Sequence, residues 1–266
     1  MELRLAGRRA LITGGSRGIG LAVARGLGGE GVAVGLCARG KETLDAAVGE
    51  LRSDGYTAVG VAADVTEPDQ LGAAVERVAT ELGGLDLLVA NAGGSVGGGL
   101  LDSTPQEWAE TYALNVLHAA HAVRSSVPHL SASDAASVVI VSSISGRKSG
   151  SRTSYATAKA AETFLAVTLA QELAEYGIRV NAVSPGSTLF PGGGWDDYRN
   201  NRPEDFATFA HEEFPAHRLV TVDEVADVIC FLLSPRASGI NGAEIAVDGG
   251  QYRPGPGRFW PPLGKG

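Results

Sequence analysis

A tyrosine and a lysine four residues apart, Tyr155 and Lys159, are the side chains of this sequence best suited to move a proton. On a helix, residues i and i+4 lie on one face, so the two side chains would project together. A free phenol has a pKa of about 10, and an ammonium group beside it lowers that value. The pair could then exchange a proton with a substrate oxygen near neutral pH. Taken alone, the spacing fits two unrelated surface residues equally well.

A glycine-rich segment, Thr13–Gly20, joins the first predicted strand to the first predicted helix. Glycine permits a tight turn and a close approach of the backbone to a pyrophosphate, and a helix N-terminus offers free N–H groups. With 37 glycines in the chain, richness in glycine is a weak signal, but this position before a helix predicts a dinucleotide site. The residues expected to bind the cofactor here are Gly14, Ser16, Arg17, Gly18, Ile19 and Gly20.

The elements that must position these groups alternate along the chain. Short apolar runs predict seven strands: Arg9–Thr13, Val32–Ala38, Thr57–Ala62, Leu85–Ala90, Ser137–Ser142, Arg179–Ser184 and Ala243–Val247. Helical patterns fall between them: Gly18–Gly29, Lys41–Asp54, Pro68–Leu82, Pro105–Val127, Ser154–Glu175 and Val222–Leu233. This alternation predicts an α/β fold, a single-domain Rossmann-type, doubly wound parallel sheet with helices on both faces. Ligands of such sheets bind beyond the carboxyl ends of the strands.

Two segments depart from the alternation. Residues 187–219 form a long insertion rich in aromatic residues, and we expect a substrate lid there. Residues 253–266 form a tail rich in proline and glycine, while residues 1–252 are expected to make one catalytic domain.

Composition limits the class of protein. The 266 residues fit one domain, and a formal charge of −8 argues against binding to nucleic acid or an anionic membrane. The two cysteines, Cys37 and Cys230, lie in apolar runs and predict reduced core thiols, with neither a disulfide nor a metal site. No signal peptide or membrane span is recognisable, so we expect a cytoplasmic protein.

The glycine spacing G-x-x-x-G-x-G, together with Tyr155-x-x-x-Lys159, resembles the short-chain dehydrogenase/reductase family over roughly residues 6–252. Further matching segments are Asp64-Val65, Asn91-Ala92-Gly93, Asn115, Pro185-Gly186 and Val247–Gly250, in the family's order. The resemblance implies a nicotinamide-dependent oxidoreductase that acts on hydroxyl and carbonyl groups.

The family's roles can be placed on matching positions. The resemblance implies that Asp64 and Val65 contact the adenine, that Asn91, Ala92 and Gly93 lie along the cofactor, and that Tyr155 and Lys159 hold the ribose. Pro185, Gly186 and Thr188 would contact the nicotinamide carboxamide. Two positions depart from the pattern: Ala90 replaces a common asparagine, and Phe190 stands where many relatives carry a threonine.

The second strand ends in Ala38-Arg39, without the acidic residue that would bind an NAD ribose. Arg39 and Arg17 could instead make charge-assisted bonds to a 2′-phosphate. We therefore favour NADP(H), with NAD(H) as the alternative.

The resemblance also implies a serine that bonds the substrate carbonyl and an asparagine that holds a water beside Lys159. The Ser-x-x-Gly pattern selects Ser143 with Gly146, and Ser142 is the alternative. Asn115 fills the asparagine position, although a satisfied core amide would look the same.

These residues predict an NADPH-dependent carbonyl reductase or alcohol dehydrogenase, with Tyr155 as general acid and base. The chain lacks a clear basic rim for a carrier protein, although Arg147, Lys148 and Arg152 lie near the site. A small ketone or secondary alcohol is therefore favoured over a 3-oxoacyl thioester. A non-catalytic NADP-binding sensor on the same fold is the second hypothesis. The predicted helices Pro105–Val127 and Ser154–Glu175 carry more apolar residues than one sheet-facing stripe requires. This excess predicts a homodimer or homotetramer.

Overall fold

A computed structural model describes residues 2–150 and 152–252 of the chain. Seven parallel strands form its central sheet, and a pair of two-residue strands lies apart from it. The strands are β1 (Arg9–Thr13), β2 (Ala33–Ala38), β3 (Ala58–Ala62), β4 (Leu87–Ala90), β5 (Ser137–Val141), β6 (Arg179–Pro185), β7 (Thr188–Leu189), β8 (Val220–Thr221) and β9 (Glu244–Val247).

Helices connect the strands and cover both faces of the sheet. They are α1 (Gly18–Gly29), α2 (Lys41–Ser53), α3 (Pro68–Leu82), α4 (Pro105–Tyr112), α5 (His118–Leu130), α6 (Thr153–Glu172), α7 (Gly194–Asn201), α8 (Pro203–Glu213) and α9 (Val222–Leu233). The predicted doubly wound α/β fold is confirmed.

The strand order β3-β2-β1-β4-β5-β6-β9 reverses direction between β1 and β4. These two strands pair in parallel, with Ile12 opposite Val89, so their carboxyl ends lie side by side. Ligands of doubly wound sheets bind at such a reversal point. The glycine-rich turn after β1 and the Asn91 segment after β4 therefore begin at adjacent places.

Two apolar layers hold the helices on the sheet. One layer joins α1, α2 and α9 to the sheet and includes Leu27 and Ile229, while the other joins α3, α5 and α6 and includes Val78 and Val123. Strands covered on both faces need apolar side chains at consecutive positions, and β5, Ser-Val-Val-Ile-Val, is buried throughout.

The predicted long helix over Pro105–Val127 is wrong in its continuity. The structure has α4, then a π-helical segment at Ala113–Leu117, then α5, which continues to Leu130. A π segment inserts one residue into the helical repeat, and such insertions are frequent at functional sites. The apolar pattern continues across the insertion, so periodicity alone did not reveal it.

Other predicted bounds differ by a few residues at element ends. Among them, β4 begins at Leu87 rather than Leu85, and α6 ends at Glu172, where a short 3₁₀ turn over Ala174–Tyr176 follows. The strands β7 and β8 were not predicted, because two residues carry no periodicity. The predicted tail, residues 253–266, lies outside the described residues.

Candidate active site

A cavity of about 800 Å³ opens at the carboxyl ends of the central strands. Its walls come from the loop after β4, the segment after β5, the first turns of α6, the loop after β6, and helices α7 and α8. Polar and aromatic side chains line it, namely Ser143, Tyr155, Arg152, Lys148, Gln251, Trp195, Tyr198 and Phe209. Side chains distant in sequence thus face one space.

Tyr155 and Lys159 stand one turn apart near the start of α6. Lys159 is buried, and its Nζ donates to the carbonyl of Val141 at 3.0 Å and lies 5.6 Å from the centre of the Tyr155 ring. Its Nζ is also 2.8 Å from the carboxylate of Glu162. Burial acts to lower the pKa of Lys159, but Glu162 and Tyr155 outweigh it, so the pKa is raised and the ammonium persists.

The two candidate serines occupy different environments. Ser142 is buried, and its hydroxyl donates to the carbonyl of Lys159 at 2.7 Å and accepts from the Thr163 hydroxyl at 3.1 Å. Ser143 lines the cavity beside Tyr155, and its Oγ accepts from the backbone N–H of Ser145 at 3.1 Å. Ser142 ties β5 to α6, whereas Ser143 has its hydroxyl proton available for a ligand.

Asn115 lies fully buried within the π segment. Its side-chain N–H groups donate to the carbonyls of Thr111 at 2.6 Å and Gly94 at 2.7 Å, and its Oδ1 accepts from the Gly94 N–H at 3.2 Å. These bonds fasten the loop after β4 to the helical segment. The amide is thus a satisfied core group, and any role toward a water beside Lys159 remains a prediction.

The glycine-rich turn is held tightly against the end of β4. Asn91 donates from its side chain to the carbonyls of Thr13 at 3.0 Å and Gly14 at 3.1 Å, and its backbone N–H donates to the Thr13 hydroxyl at 3.0 Å. A Cβ at Gly20 would lie only 2.4 Å from the Gly14 oxygen, so only glycine fits there. Gly14 itself has a φ of +64°, in the left-handed region that favours glycine.

Helix α1 presents bare backbone N–H groups behind this turn. Its N-cap, Arg17, makes no side-chain capping bond, and the first turn holds no acidic residue. Helices α4 and α9 instead begin with complete capping boxes, built on Thr104 and Thr221. The N-terminus of α1 is therefore the kind of positive, unsatisfied helix end that accepts a phosphate.

Behind the turn lies a fully buried histidine. His118, the first residue of α5, has its Nε2 2.8 Å from the Thr13 hydroxyl. Burial, with a smaller effect of the Lys159 charge, lowers its pKa to about 3. His118 is thus neutral and serves to link α5 with the turn after β1.

Charged side chains lie just after β2 and β3, at the carboxyl edge of the sheet. Arg39 follows β2, is largely exposed, and lies 3.8 Å from the carboxylate of Asp64. Burial acts to raise the pKa of Asp64, but hydrogen bonds from Thr66 and the charge of Arg39 prevail and lower it. Val65 beside it is buried, and Arg17 is exposed. The two arginines follow neighbouring strands, since β1 and β2 pair in parallel.

The loop after β6 forms part of the cavity wall. Gly186 and Ser187 line the cavity, and Gln251 clamps this loop by accepting from the Ser187 N–H at 2.8 Å and donating to its hydroxyl at 3.0 Å. Thr188, predicted to contact the cofactor, is buried and donates its hydroxyl to the Gly186 carbonyl at 3.0 Å. Phe190 packs its ring over Gly18, where an added Cβ would lie 2.9 Å from it.

An aromatic cluster on α7 and α8 forms the outer wall. Trp195 stacks on Phe209 with centroids 4.4 Å apart, and Tyr198 meets Trp195 edge-on at 5.8 Å. Lys148 pairs with Glu213 of α8, and Arg147 pairs with Glu244 at 2.7 Å. Arg152 lines the cavity and makes no ion pair within the described residues.

Three residues that support the site escaped the sequence analysis, namely His118, Glu162 and Gln251. A polar residue inside an apolar helical run, such as Glu162 or His118, is the signal that could have been read. The sequence around Gln251 contains no such signal, because its hydrogen-bond partner Ser187 lies 64 positions earlier in the chain.

Both cysteines are free and buried, and burial raises the pKa of each thiol to about 12. Within residues 2–150 and 152–252, His, Cys, Asp and Glu side chains form no group suited to a metal ion. No helix in the same part of the chain has the length and apolar character to cross a membrane.

Known proteins resemble this chain over nearly its whole length. A family model described as enoyl-(acyl carrier protein) reductase matches residues 14–251. Isoepoxydon dehydrogenase patN of Penicillium expansum is 35% identical over 92% of this chain and 95% of its own length. Cis-4-hydroxycyclohexanecarboxylate dehydrogenase of Sinomonas cyclohexanicum is 38% identical over 91% of this chain and 96% of its own.

Among solved structures, L-sorbose reductase of Gluconobacter frateurii, complexed with NADPH and L-sorbose, superposes with a TM-score of 0.89. It is 32% identical and covers 96% of this chain and 100% of that one. Fold, glycine-rich turn and Tyr155–Lys159 pair agree with these matches. The chain belongs to the short-chain dehydrogenase/reductase family of oxidoreductases.

Proposed function

We propose that the protein is an NADPH-dependent reductase of ketones, which in reverse oxidises secondary alcohols. The observation that carries the proposal is that Ser143 and Tyr155 line one cavity at the carboxyl ends of the strands, with the buried ammonium of Lys159 5.6 Å from the Tyr155 ring. Relatives named as dehydrogenases and reductases support the reaction class.

Three observations support NADP(H) as the cofactor. The uncapped N-terminus of α1 suits the pyrophosphate, and the tight glycine turn allows the backbone to approach it. Arg17 and Arg39 lie exposed where a 2′-phosphate would need cations, and no acidic residue ends β2. The solved relative bound to NADPH agrees with this choice.

When bound, the nicotinamide supplies the hydride. In the proposed reaction, the Ser143 hydroxyl donates a hydrogen bond to the substrate oxygen and stabilises the negative charge that develops there. The Tyr155 phenol donates the proton to that oxygen. Lys159, held as an ammonium 5.6 Å from the Tyr155 ring, would stabilise the negative charge left on Tyr155 after the proton transfer and, with Tyr155, would hold the ribose.

The cavity favours a cyclic substrate that carries a carboxylate. Trp195 and Phe209 offer flat apolar faces, and Arg152 offers a cation in the same cavity. Lys148 is already paired with Glu213, so Arg152 is the residue assigned to the carboxylate. The dehydrogenase of cis-4-hydroxycyclohexanecarboxylate, a ring with such a group, supports this class.

The test has two stages. Fluorescence titration with NADPH and NADH measures cofactor choice, and loss of NADPH absorbance then follows turnover across a panel of ketones. The panel should include 4-oxocyclohexanecarboxylate, its methyl ester, a 3-oxoacyl thioester and an enoyl thioester. We expect tight NADPH binding and the fastest turnover with the charged cyclic ketone.

Other outcomes separate the alternatives. Equal rates for the acid and its ester would reject the role of Arg152, and turnover only of a thioester would reject the substrate class. NADPH binding without turnover of any carbonyl would favour a non-catalytic sensor.

A further inference from the structure

A carboxylate lies buried directly beside the Lys159 ammonium. Glu162 follows Lys159 by three residues on α6, so both face the same side of the helix, and its side chain is 1% exposed. Its Oε2 is 2.8 Å from Lys159 Nζ and makes no other polar contact within the described residues. A buried carboxylate is costly unless a charge compensates it, and the Lys159 ammonium at 2.8 Å supplies that compensation.

Glu162 also restricts where the ammonium can be. A lysine ammonium has three N–H donors. The Val141 carbonyl takes one at 3.0 Å, and the Glu162 carboxylate attracts a second. The Gly93 backbone packs closely beside the nitrogen, since a Cβ added there would lie 3.0 Å from Nζ. One N–H group of the ammonium then remains for a hydrogen bond to Tyr155 or to a bound ribose.

The charges of the three groups are coupled. Burial works against the Lys159 ammonium, and the carboxylate of Glu162 with Tyr155 raises the pKa of Lys159 above its ordinary value. Burial likewise raises the pKa of Glu162, with Lys159 acting in the opposite sense. Interacting groups lose their protons as a set. Removing the negative charge of Glu162 therefore makes the first proton of the Tyr155–Lys159 pair easier to lose.

We propose that Glu162 is a positioning residue of the active site, which fixes the Lys159 ammonium beside Tyr155 and whose negative charge holds the first proton of the Tyr155–Lys159 pair, so that the site favours carbonyl reduction. Reduction consumes a phenolic proton, whereas alcohol oxidation requires the phenolate. The assignment of direction rests on the proposed function, but the charge coupling does not.

Other charged groups on the neighbouring elements have separate surroundings. From α5, His118 is neutral at working pH. On α4, Glu107 caps its own helix and Glu110 accepts from Gln106 at the surface. Arg147, after β5, pairs with Glu244. Arg179 is the first residue of β6 and lies at the amino ends of the strands, away from the cavity. A Glu162 substitution leaves these groups in place, so the comparison isolates its own charge.

Titration of Tyr155 tests the coupling without requiring turnover. Tyrosinate absorbance is recorded against pH in the cofactor-free full chain, and the same titration of Tyr155→Phe is subtracted to remove the other five tyrosines. In Glu162→Gln we expect Tyr155 to ionise about one pH unit lower than in the unaltered protein. Glu162→Met, which also removes the charge and keeps a similar length, should shift it in the same direction.

Two controls define the result. Glu172→Gln removes a carboxylate from the exposed end of the same helix and should leave the titration unchanged. Glu162→Asp keeps the charge and should restore most of the ionisation behaviour. A Tyr155 titration that is unchanged or moves to higher pH in both neutral variants would overturn the proposal.

Kinetics provide the second readout. The alkaline limb of kcat/KM for ketone reduction should move to lower pH in Glu162→Gln by the same amount as the absorbance titration. A moved titration with an unmoved limb would overturn the role in reduction. If no ketone is turned over, the proposed function fails while the absorbance result still decides the coupling.

Discussion

At the scale of single residues, the structure separates side chains that face the cavity from side chains that are held by protein partners. Tyr155 and Ser143 face the cavity, whereas Ser142 and Asn115 make hydrogen bonds to the protein itself. A side chain already satisfied by buried partners has little capacity left for a ligand. This difference in environment, rather than residue type, is what the following substitutions examine.

Tyr155→Phe should abolish ketone reduction while leaving NADPH bound. The change removes the phenolic proton and keeps the ring, and loss of a general acid costs roughly 10²–10⁴-fold in rate. Single-turnover absorbance measures the rate, and fluorescence titration measures the dissociation constant. Retention of more than about a tenth of the native rate would contradict the assigned role, because that loss falls short of the general-acid range.

Ser143→Ala and Ser142→Ala should have opposite consequences. Loss of the Ser143 donor should lower kcat by about 10²-fold with little effect on stability. Loss of Ser142 removes buried bonds to Lys159 and Thr163 and should cost about 1–3 kcal/mol in the free energy of unfolding. Urea denaturation and steady-state kinetics on both variants check this pair, and a reversed pattern would make Ser142 the catalytic serine.

At the scale of elements, close backbone contacts and polar bonds hold the loops that are expected to bind the cofactor. The turn after β1 is packed against the end of β4 through Asn91 and against α1 through its glycines. The segment after β5 is fastened to α6 by Ser142, and the loop after β6 is fastened by Gln251. The carboxyl ends of β1, β4, β5 and β6 are thus each fixed by polar bonds of their own.

Gly20→Ala should weaken both folding and NADPH binding, because the new methyl would lie 2.4 Å from the Gly14 oxygen. We expect at least a tenfold rise in the NADPH dissociation constant, the equivalent of about 1.4 kcal/mol. The matched control is Gly49→Ala in α2, which has open space around it and should instead stabilise the fold by roughly 0.5–1 kcal/mol. Equal effects of the two changes would refute the packing argument.

The junction of β1 and β4 should confer a pH-dependent stability through Asp86. This buried carboxylate accepts from the backbone and side chain of Arg9 and from Ser133. Burial acts to raise the pKa of Asp86, but these hydrogen bonds prevail and lower it. Its contribution is present above the unfolded pKa of about 3.9 and is lost as pH falls through the lower folded value.

Asp86→Asn should therefore unfold more easily at pH 7 and lose less stability than the native protein between about pH 4 and pH 2. Urea midpoints across that range measure the difference. Parallel curves for the two proteins would show that Asp86 is not the linked group.

At the scale of the whole molecule, exposed apolar side chains lie on α6 and at the end of the π segment. Phe164 on α6 is 69% exposed and Leu117 is 51% exposed. Apolar patches at the surface mark interfaces, and most oligomers are closed and symmetric. We propose that this face pairs two copies of the chain in a homodimer or homotetramer.

Phe164→Glu should dissociate that assembly, because it places a charge in an apolar contact. Sedimentation velocity should show a smaller species for this variant than for the native protein. Glu172→Lys, on the same helix, should leave the sedimentation coefficient unchanged. A native protein that sediments as a monomer at all concentrations would disprove the interface.

Alternating apolar and helical patterns were enough to predict the seven strands of the central sheet, because a strand covered on both faces requires consecutive apolar residues. They did not predict β7, β8, α7 or α8, nor the π segment between α4 and α5. The fixed spacing of Gly14, Gly18 and Gly20 and of Tyr155 and Lys159 was enough to name the family. Both signals are local in sequence. The choice between Ser142 and Ser143 was not local, since it depends on which hydroxyl packs under α6.

Tertiary structure alone decided the rest. The π segment at Asn115 depends on bonds to Gly94, 21 residues away, and the clamp on the loop after β6 depends on Gln251. The pairing of Lys159 with Glu162 is local in sequence, but its strength comes from burial beneath β5 and Gly93. Local patterns determine which residues are available; long-range packing sets the solvation and charge around them, and with these their chemistry.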